Sequence, residues 1–473
     1  MLAHAGRRRD FVVNKSRDPV APAAGSAPVD GRSRRRQRRP LPAWTIAVVA
    51  IVAGVAIGRF ITADAPASLG PAPAVQSVDD SIMSLERRVE ADPEDAAAWQ
   101  RLGIAYLQRA ANIGDPSYYG LAEDALLRAA ELAPDDPTTL IGQGSLALAL
   151  HQFPEALELG TRATQALPAS ADALAVLVDA QIEMGLYEEA EASLQRMLDL
   201  RPGLPALARA SYLRELHGDV PGAIEAMTRA EAAGSRPDDV ANVAALLADL
   251  HFLQGDIDAA AAAFDRALQA SPQLVNAAVG KARVLAARGD LQQAIAVLEA
   301  TVERFPTPDA VVLLGDLQSR MGDTADAAET YALVEAIANL QRDAGQVVDL
   351  ELAIFLADQG ADPPRALELA QDAHRLRPAN VYVNDALAWA LLATGDAAAA
   401  VAPMEKALRL GSADPLVRFH AAEVFLAAGD RDRAAADLAQ ALAGTAWFSF
   451  RYHDRALELA QRLGVAPLAD GGS

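Results

Sequence analysis

An alanine recurs along most of the chain at nearly constant spacing, and this repetition limits the possible folds more than any other feature. Successive alanines lie 33 to 39 residues apart, and the commonest interval is 34. A period of this length indicates a small structural unit stacked many times, in which each unit packs mainly against its neighbours. The alanines stand at Ala122, Ala156, Ala190, Ala223, Ala260, Ala294, Ala327, Ala366, Ala400 and Ala434.

Glycine and proline recur in phase with these alanines. A glycine precedes seven of them by five residues, at Gly185, Gly218, Gly255, Gly289, Gly322, Gly395 and Gly429. A proline follows six of them by twelve residues, at Pro134, Pro168, Pro202, Pro272, Pro306 and Pro378. Glycine adopts the left-handed conformation that ends a helix, and proline stops the next one. Asp follows six of the seven glycines and favours a new helix start. Each unit is therefore predicted to be a helix pair, with its alanine where the two helices cross.

Composition supports an all-α fold. Hydrophobic residues make up 52% of the chain but aromatic residues only 5%, so the apolar content is mostly Ala and Leu. These are strong helix formers. Runs of β-branched and aromatic residues that would predict strands are nearly absent.

The first unit carries a recognisable motif. Trp99, Leu102, Gly103 and Tyr106 have the spacing Trp-x-x-Leu-Gly-x-x-Tyr, and Ala122, Ala129 and Pro134 follow in order. With the period of 34, this pattern resembles the tetratricopeptide-repeat (TPR) family over residues 95–446. The resemblance implies a right-handed α-solenoid of about ten helix pairs over residues 78–448, including one helix leading in at 78–92. Residues 449–473 are expected to form a capping helix and tail.

Three units depart from the regular spacing. The first has seven extra residues before Ala122, so we expect a longer hairpin loop that includes residues 114–120. Extra residues also lie near 234–236. The longest interval, after Ala327, predicts an extended helix or an inserted turn around residues 335–346.

The resemblance also implies a concave groove, lined by the first helix of each unit, in which other proteins or peptides bind. Trp389 and Tyr382 are the aromatic candidates for binding anchors, although Trp389 lies in an apolar stretch and core packing is the alternative. The carboxylate clamp of chaperone-binding relatives is missing, because its positions hold Gln100, Ile104, Gly142, Asp172 and Val176. By phase, the inward residues are Arg101, Asp172, Asp179, Arg209, Tyr212, Asn242, Asp249, Asn276, Arg283, Asp316, Arg320, Tyr382, Asp385, Trp389 and Glu423.

Residues 41–61 form an apolar stretch of membrane length, at roughly 1.5 Å per residue in a helix. Five arginines within residues 34–39 precede it and predict, by the positive-inside rule, a cytoplasmic N-terminus and a periplasmic or extracellular repeat array. Residues 1–40 are predicted to be a disordered basic tail, and residues 62–77 a Pro/Ala-rich linker. A cleaved export signal ending at Ala63-Asp64-Ala65 is the alternative.

Small residues on one face of this stretch suggest pairing of two anchors. Ala50, Gly54 and Gly58 are spaced by four, which allows close approach of two transmembrane helices. A homodimer through Gly54 and Gly58 is thus a possible assembly.

The sequence lacks the usual patterns of catalysis. It contains no Cys, and its seven His are scattered without a metal-binding spacing. Residues 1–40 carry a net charge of +8 and the remainder −29, which argues against nucleic acid as a partner. We therefore predict a membrane-anchored interaction scaffold with no cofactor, metal or enzymatic activity. The alternatives are a chaperone-like presenter in protein export or cytochrome c maturation, or a non-catalytic subunit of a membrane enzyme complex.

Overall fold

The computed structural model describes residues 78–113 and 115–466, which form twenty-two α-helices and one short 3-10 helix, with no strand. The predicted tail, membrane anchor, linker and dimerisation glycines lie outside these residues, at positions 1–77. Within the described part, no helix combines the length and hydropathy needed to cross a bilayer.

The helices are short and follow one another closely. Their bounds in chain order are α1 Val78–Ala91, α2 Ala96–Ile113, α3 Ser117–Leu132, α4 Pro137–Ala149, α5 Phe153–Ala166, α6 Ala171–Glu183, α7 Tyr187–Leu200, α8 Leu204–Leu216, α9 Val220–Ala233, α10 Pro237–Leu253, α11 Ile257–Ala270, α12 Val275–Ala287, α13 Leu291–Arg304, α14 Pro308–Met321, α15 Thr324–Asp343, α16 Asp349–Gln359, α17 Pro363–Leu376, α18 Val381–Ala393, α19 Ala397–Ala407, α20 Pro415–Ala427, α21 Arg431–Ala441, the 3-10 helix Ala446–Phe448, and α22 His453–Leu463.

Helices α2 to α21 pack as ten consecutive pairs, from α2 with α3 to α20 with α21. We number these pairs repeats 1 to 10 and call the first helix of each pair helix A and the second helix B. Helix α1 packs against α2, and α22 packs against α21. The predicted all-α solenoid of about ten helix pairs is confirmed.

The recurring Ala and Gly residues, and most of the Asp residues that follow the Gly, have the roles that the sequence predicts. The ten alanines of the period are all at most 2% exposed, so a larger side chain would force the paired helices apart. All seven phased glycines have positive φ, between 75° and 90°. Asp219, Asp256, Asp396 and Asp430 each cap helix B through a side-chain hydrogen bond, whereas Asp290 and Asp323 make no such bond.

All three irregular units lengthen helices. The extra residues expected near 234–236 fall in α10, which has 17 residues. In repeat 1 the extra residues extend α2 to 18 residues and α3 to 16, leaving only residues 114–116 between them. The predicted long hairpin loop is therefore wrong, because Ala- and Leu-rich insertions continue the helix. The insertion after Ala327 makes α15 a 20-residue helix, as one of the two alternatives predicted. The capping helix α22 begins at His453 rather than at 449.

Successive turns of the solenoid touch along a line that we call the seam. On one side are the turns between helices A and B of repeats 2 to 5, and on the other the segments that follow repeats 7 to 10. The Val347 amide donates to the Leu150 carbonyl at 3.0 Å, and Asn380 Nδ2 donates to the Glu183 carbonyl at 3.0 Å. Arg409 Nη2 donates to the Gly185 carbonyl at 3.0 Å. Because Glu183 and Arg377 meet across 194 residues, one turn takes between five and six repeats.

Glycine is required at the seam for a second reason besides its conformation. A Cβ on Gly185 would lie 2.4 Å from the Ala379 carbonyl carbon, and one on Gly255 would lie 2.4 Å from the Gly444 carbonyl oxygen. A Cβ atom essentially never makes a non-bonded contact this short, so the two backbones approach closely only because both positions lack side chains.

A buried ion pair holds the middle of the seam. Arg377 Nη1 donates to Glu183 Oε2 at 2.8 Å, and both side chains are less than a tenth exposed. The Arg377 guanidinium also lies 4.6 Å from the centre of the Phe153 ring, and the Tyr187 hydroxyl accepts from the Val381 amide at 3.0 Å. These groups depend on the seam for their partners, because each contact joins residues from different turns.

Candidate ligand site inside the solenoid

A cavity of about 470 Å³ lies between repeats 6 to 8 and the segment that follows repeat 10. We call it the inner cavity. Helices α12, α14 and α16, which are the A helices of three successive repeats, form one wall together with α15. Residues 448–452 form the opposite wall, because the chain returns across the solenoid after its last repeat. The volume lies in the range of ligand pockets.

Most of the wall is apolar. Val312 and Leu313 come from α14, Ile354 and Phe355 from α16, and Phe450 from the returning chain. Val312 and Ile354 are partly exposed, so part of this apolar surface meets solvent. Apolar walls with a few polar groups are typical of sites that bind small molecules or side chains of a partner.

One polar part of the wall is a hydrogen-bond network centred on the Arg451 side chain. Its guanidinium lies 3.2 Å from Asp316 Oδ1 and donates to the Tyr331 hydroxyl at 3.0 Å and to the Asp358 carbonyl at 3.2 Å. The Tyr331 hydroxyl in turn donates to Asp316 at 2.6 Å. Burial raises the pKa of Asp316, although Arg451 opposes this shift. The arginine therefore neutralises a carboxylate that is costly to leave alone in this wall.

Asp358, in the last turn of α16, accepts two hydrogen bonds on one oxygen. Trp389 Nε1 donates to it at 2.8 Å and the Tyr452 hydroxyl at 2.6 Å. Burial raises the pKa of Asp358, while His420 and these two donors work against the shift. One carboxylate thus joins α16, α18 and the chain that follows repeat 10.

Glu351 and Asp309 form a second polar part of the cavity wall. Burial raises the pKa of Glu351 to about 7, and nearby Asp309 and Asp349 add to the effect. Glu351 lies 3.9 Å from His151 Nδ1, but burial lowers the pKa of this histidine. At neutral pH the pair therefore carries less charge than two isolated groups would.

Behind the cavity, Trp389 belongs to a buried aromatic cluster. Its ring stacks on His420 at 4.1 Å between centroids and meets Tyr452 edge-on at 5.8 Å. His420 is fully buried, with Nδ1 3.1 Å from the Asp385 carboxylate. Burial lowers the pKa of His420, but the Asp385, Asp358 and Asp414 carboxylates raise it by more, so the net shift is upward.

The predicted groove residues divide by exposure. Arg101 and Asp172 are exposed, and two others, Arg283 and Asp316, line the inner cavity. Arg209 and Asp179 form a buried ion pair at 2.5 Å. Trp389 is 5% exposed, so a ligand would reach it only if the interior opened. The buried members are Asp179, Arg209, Tyr212, Asp385 and Trp389, and the partly exposed members are Asn242, Asp249, Asn276, Arg283, Asp316, Arg320, Tyr382 and Glu423.

Sequence reasoning missed two parts of the cavity. Glu351 and Asp358 lie on α16, in a repeat whose glycine, Gly360, stands six residues before its alanine instead of five. Because of this shift, α16 departs from the regular spacing, and its inward-facing residues were not selected. The second part, residues 448–452, follows the last repeat, so no periodic signal could place it. Among the described residues, no three His, Asp or Glu side chains come together in a way that could hold a metal ion.

Sequence profiles identify the repeated unit. Two profiles described as tetratricopeptide repeat match, one over residues 147–212 and 251–311 and the other over residues 207–275. Residues 147–311 are tetratricopeptide repeats. The helix pairs before and after this range have the same A and B arrangement and TPR-like packing. No curated protein sequence matches the chain.

Solved structures with similar folds are distant in sequence. A human IFIT1 dimer with PPP-AAAA has 17% identity and a TM-score of 0.46, covering 70% of this chain and 78% of that one. The APC/C hetero-tetramer Cut9-Hcn1 has 15% identity and a TM-score of 0.35, with coverage of 82% and 90%. PilW, a type IV pilus biogenesis factor, has 18% identity and a TM-score of 0.37, with coverage of 42% and 92%. Such distant likenesses carry no argument about a ligand.

Proposed function

We propose that this TPR protein is a membrane-anchored scaffold that binds a segment of a partner protein in the inner cavity. The observation that carries the proposal is the cavity itself, which lies on the A helices of three successive repeats and combines apolar walls with charged groups. TPR proteins typically act as non-catalytic scaffolds, and apolar cavities with a few polar groups suit the side chains of a bound peptide.

The membrane part of the proposal rests on the sequence alone. Residues 41–61 have the length and apolar character of a membrane span, and the preceding arginines favour a cytoplasmic N-terminus. The scaffold would then act on the outer side of the cytoplasmic membrane. A presenter in protein export or cytochrome c maturation is a narrower form of the same role, and a non-catalytic subunit of a membrane complex is another.

Filling the cavity should weaken partner binding. Ile354 is partly exposed in the cavity wall, and Ile354→Trp adds a large ring there without removing a polar contact. We expect partner affinity to fall at least tenfold, since the ring occupies the volume that the ligand needs. The partner is first captured from the full-length protein by photo-crosslinking with a small diazirine side chain, close to Ile in size, at position 354. Its dissociation constant is then measured with purified components.

Leu127→Trp is the matched control, because Leu127 is 50% exposed on helix B of repeat 1, away from the cavity. It should leave the affinity unchanged. Equal affinities of wild type and Ile354→Trp, with both proteins folded, would show that the partner binds elsewhere.

The topology can be tested separately. Protease added outside cells with a permeabilised outer barrier should digest the repeat array and leave a tag at the N-terminus intact, because residues 1–40 are placed in the cytoplasm. Immunoblotting of tags at both ends gives the result. A protected C-terminal tag would contradict the orientation, and a soluble mature protein lacking the N-terminal tag would indicate a cleaved signal.

A further inference from the structure

Residues 447–452, which we call the return segment, leave the last repeat and cross the solenoid to repeats 6 to 8. Phe450 is 5% exposed and packs in the apolar cluster that includes Val279 of α12 and Leu313 of α14. Residues 449–452 are not part of any helix, and α22 begins only at His453. Residues 449–452 of the return segment can therefore change their contacts without breaking a helix or separating a helix pair.

The fit between the return segment and the A helices is incomplete. Residues 448–452 form one side of the inner cavity, and α12, α14 and α16 form the other. A space of about 470 Å³ remains between the two sides. Protein interiors are normally close-packed, with few voids larger than a water molecule. Repeats 6 to 8 thus offer a larger surface than the return segment covers, as expected for a binding surface occupied by a short piece of chain.

The polar contacts define what this surface accepts. Arg451 supplies a cation to Asp316 and a donor to the Tyr331 hydroxyl, and the Tyr452 hydroxyl supplies a donor to Asp358. Phe450 supplies the apolar group beside them. If the return segment left, these carboxylates would lose donors in a largely buried wall, which is unfavourable unless a replacement brings equivalent groups. An acidic or purely aliphatic segment could not do so.

We propose that the return segment is an exchangeable occupant of the partner site, and that the partner of this TPR protein presents an arginine flanked by aromatic residues. This inference rests on the proposed function and names the chemistry of its ligand. A partner segment of this kind replaces Phe450, Arg451 and Tyr452 on α14 and α16 and extends into the space that they leave. The tethered segment competes at a high effective concentration, so the free protein holds the site closed against weak ligands.

The test uses a fluorescent peptide with the sequence of residues 446–453, AWFSFRYH, and the full-length protein in detergent. In the double variant Phe450→Ala/Arg451→Ala the tethered segment can no longer occupy the site. We expect fluorescence anisotropy to show peptide binding at least tenfold tighter than to wild type. A peptide with Glu in place of its arginine should not bind, and adding Asp316→Asn to the double variant should remove binding.

Failure of a folded double variant to bind the peptide would overturn the proposal, as would binding that is insensitive to Asp316→Asn. If the double variant does not fold, Arg451→Gln alone takes its place. Failure of this variant to bind the peptide, or binding that is insensitive to Asp316→Asn, would then overturn the proposal. The proposed function fails differently: a partner whose affinity is unaffected by Ile354→Trp argues against the inner cavity as its site. A partner lost on Ile354→Trp, together with no peptide binding, would leave that function standing and refute only the exchange.

Discussion

Arg377→Ala is expected to lower the free energy of unfolding by about 3–5 kcal/mol, because it leaves Glu183 buried without its cation. The two groups are 2.8 Å apart, and each side chain is less than a tenth exposed. Their contact joins α6 to the segment between α17 and α18, so the variant should also loosen the seam. Urea denaturation of the full-length protein gives the stability, and small-angle scattering should show a larger radius of gyration.

The loss of stability in Arg377→Ala should depend on pH. Burial already raises the pKa of Glu183, and Arg377 is the main group that opposes this shift. Without Arg377, the folded-state pKa rises further above the unfolded value, so the folded protein takes up a proton more readily. The stability of the variant is therefore highest at low pH and is lost as pH rises through the folded-state pKa. The difference from wild type should be larger at pH 8 than at pH 5.

An exposed ion pair provides the control. Arg162 pairs with Asp135, and the side chains are 42% and 78% exposed, so Arg162→Ala should change stability by less than about 1 kcal/mol. In the double variant Glu183→Gln/Arg377→Met no buried charge is left unpaired, and much of the lost stability should return. A similar small effect of Arg377→Ala and Arg162→Ala would show that the seam does not depend on this pair.

Glu215→Gln should stabilise the protein at alkaline pH. Burial raises the pKa of Glu215 to about 8, and the carboxylates of Asp414 and Asp249 add to the shift. Tyr212 and Tyr382 face the same region. Above pH 8 the folded protein must hold three negative groups close together, whereas glutamine keeps this position neutral. We expect a gain of about 2 kcal/mol at pH 9, allowing for the partial exposure of Glu215.

The direction follows from linkage. The folded-state pKa of Glu215 lies above its unfolded value, so its contribution is fully present below the unfolded value and is lost as pH rises through about 8. Glu351, with a pKa of about 7, and Asp179, with a pKa of about 6, act in the same direction at lower pH. Urea midpoints measured from pH 5 to 9 should therefore decline less steeply for Glu215→Gln than for wild type.

Glu188→Gln is the control, since Glu188 is exposed on helix α7. It should give the wild-type profile. If Glu215→Gln and wild type lose stability in parallel between pH 7 and 9, Glu215 does not titrate in the way that its surroundings require.

The repeat architecture could be predicted because each signal acts locally. Gly322 ends α14 through its positive φ, and Ala327 packs where α14 and α15 cross. Both roles depend only on residues within one unit of about 34 residues. The prediction of a long hairpin loop was wrong because spacing is also the only local signal near residues 114–120. Spacing counts the extra residues but does not say whether they continue a helix.

Only part of the cavity wall lies at positions that the repeat pattern selects. The phase of the A helices selected Arg283 and Asp316, which line the cavity wall. It also selected Asp179 and Arg209, which form a buried pair, because an inward-facing position is exposed only if the inside of the solenoid is open. Arg451 and Tyr452 follow the repeats, and their contacts with α14 and α16 depend on where the chain returns.

The sequence by itself determined the helix pairs, their order and the residues at each crossing, because turn and packing chemistry repeat within every unit. Only the tertiary structure decided which equivalent positions meet. Gly185 and Gly322 both end a helix A with positive φ, yet a Cβ would strike Ala379 at Gly185 and meet nothing within 4 Å at Gly322. Two turns touch only after small rotations between neighbouring repeats have added up over more than five units, and that many described repeats follow Gly185 but not Gly322. The sum of these rotations depends on the side-chain packing of every repeat in between, which no local pattern records.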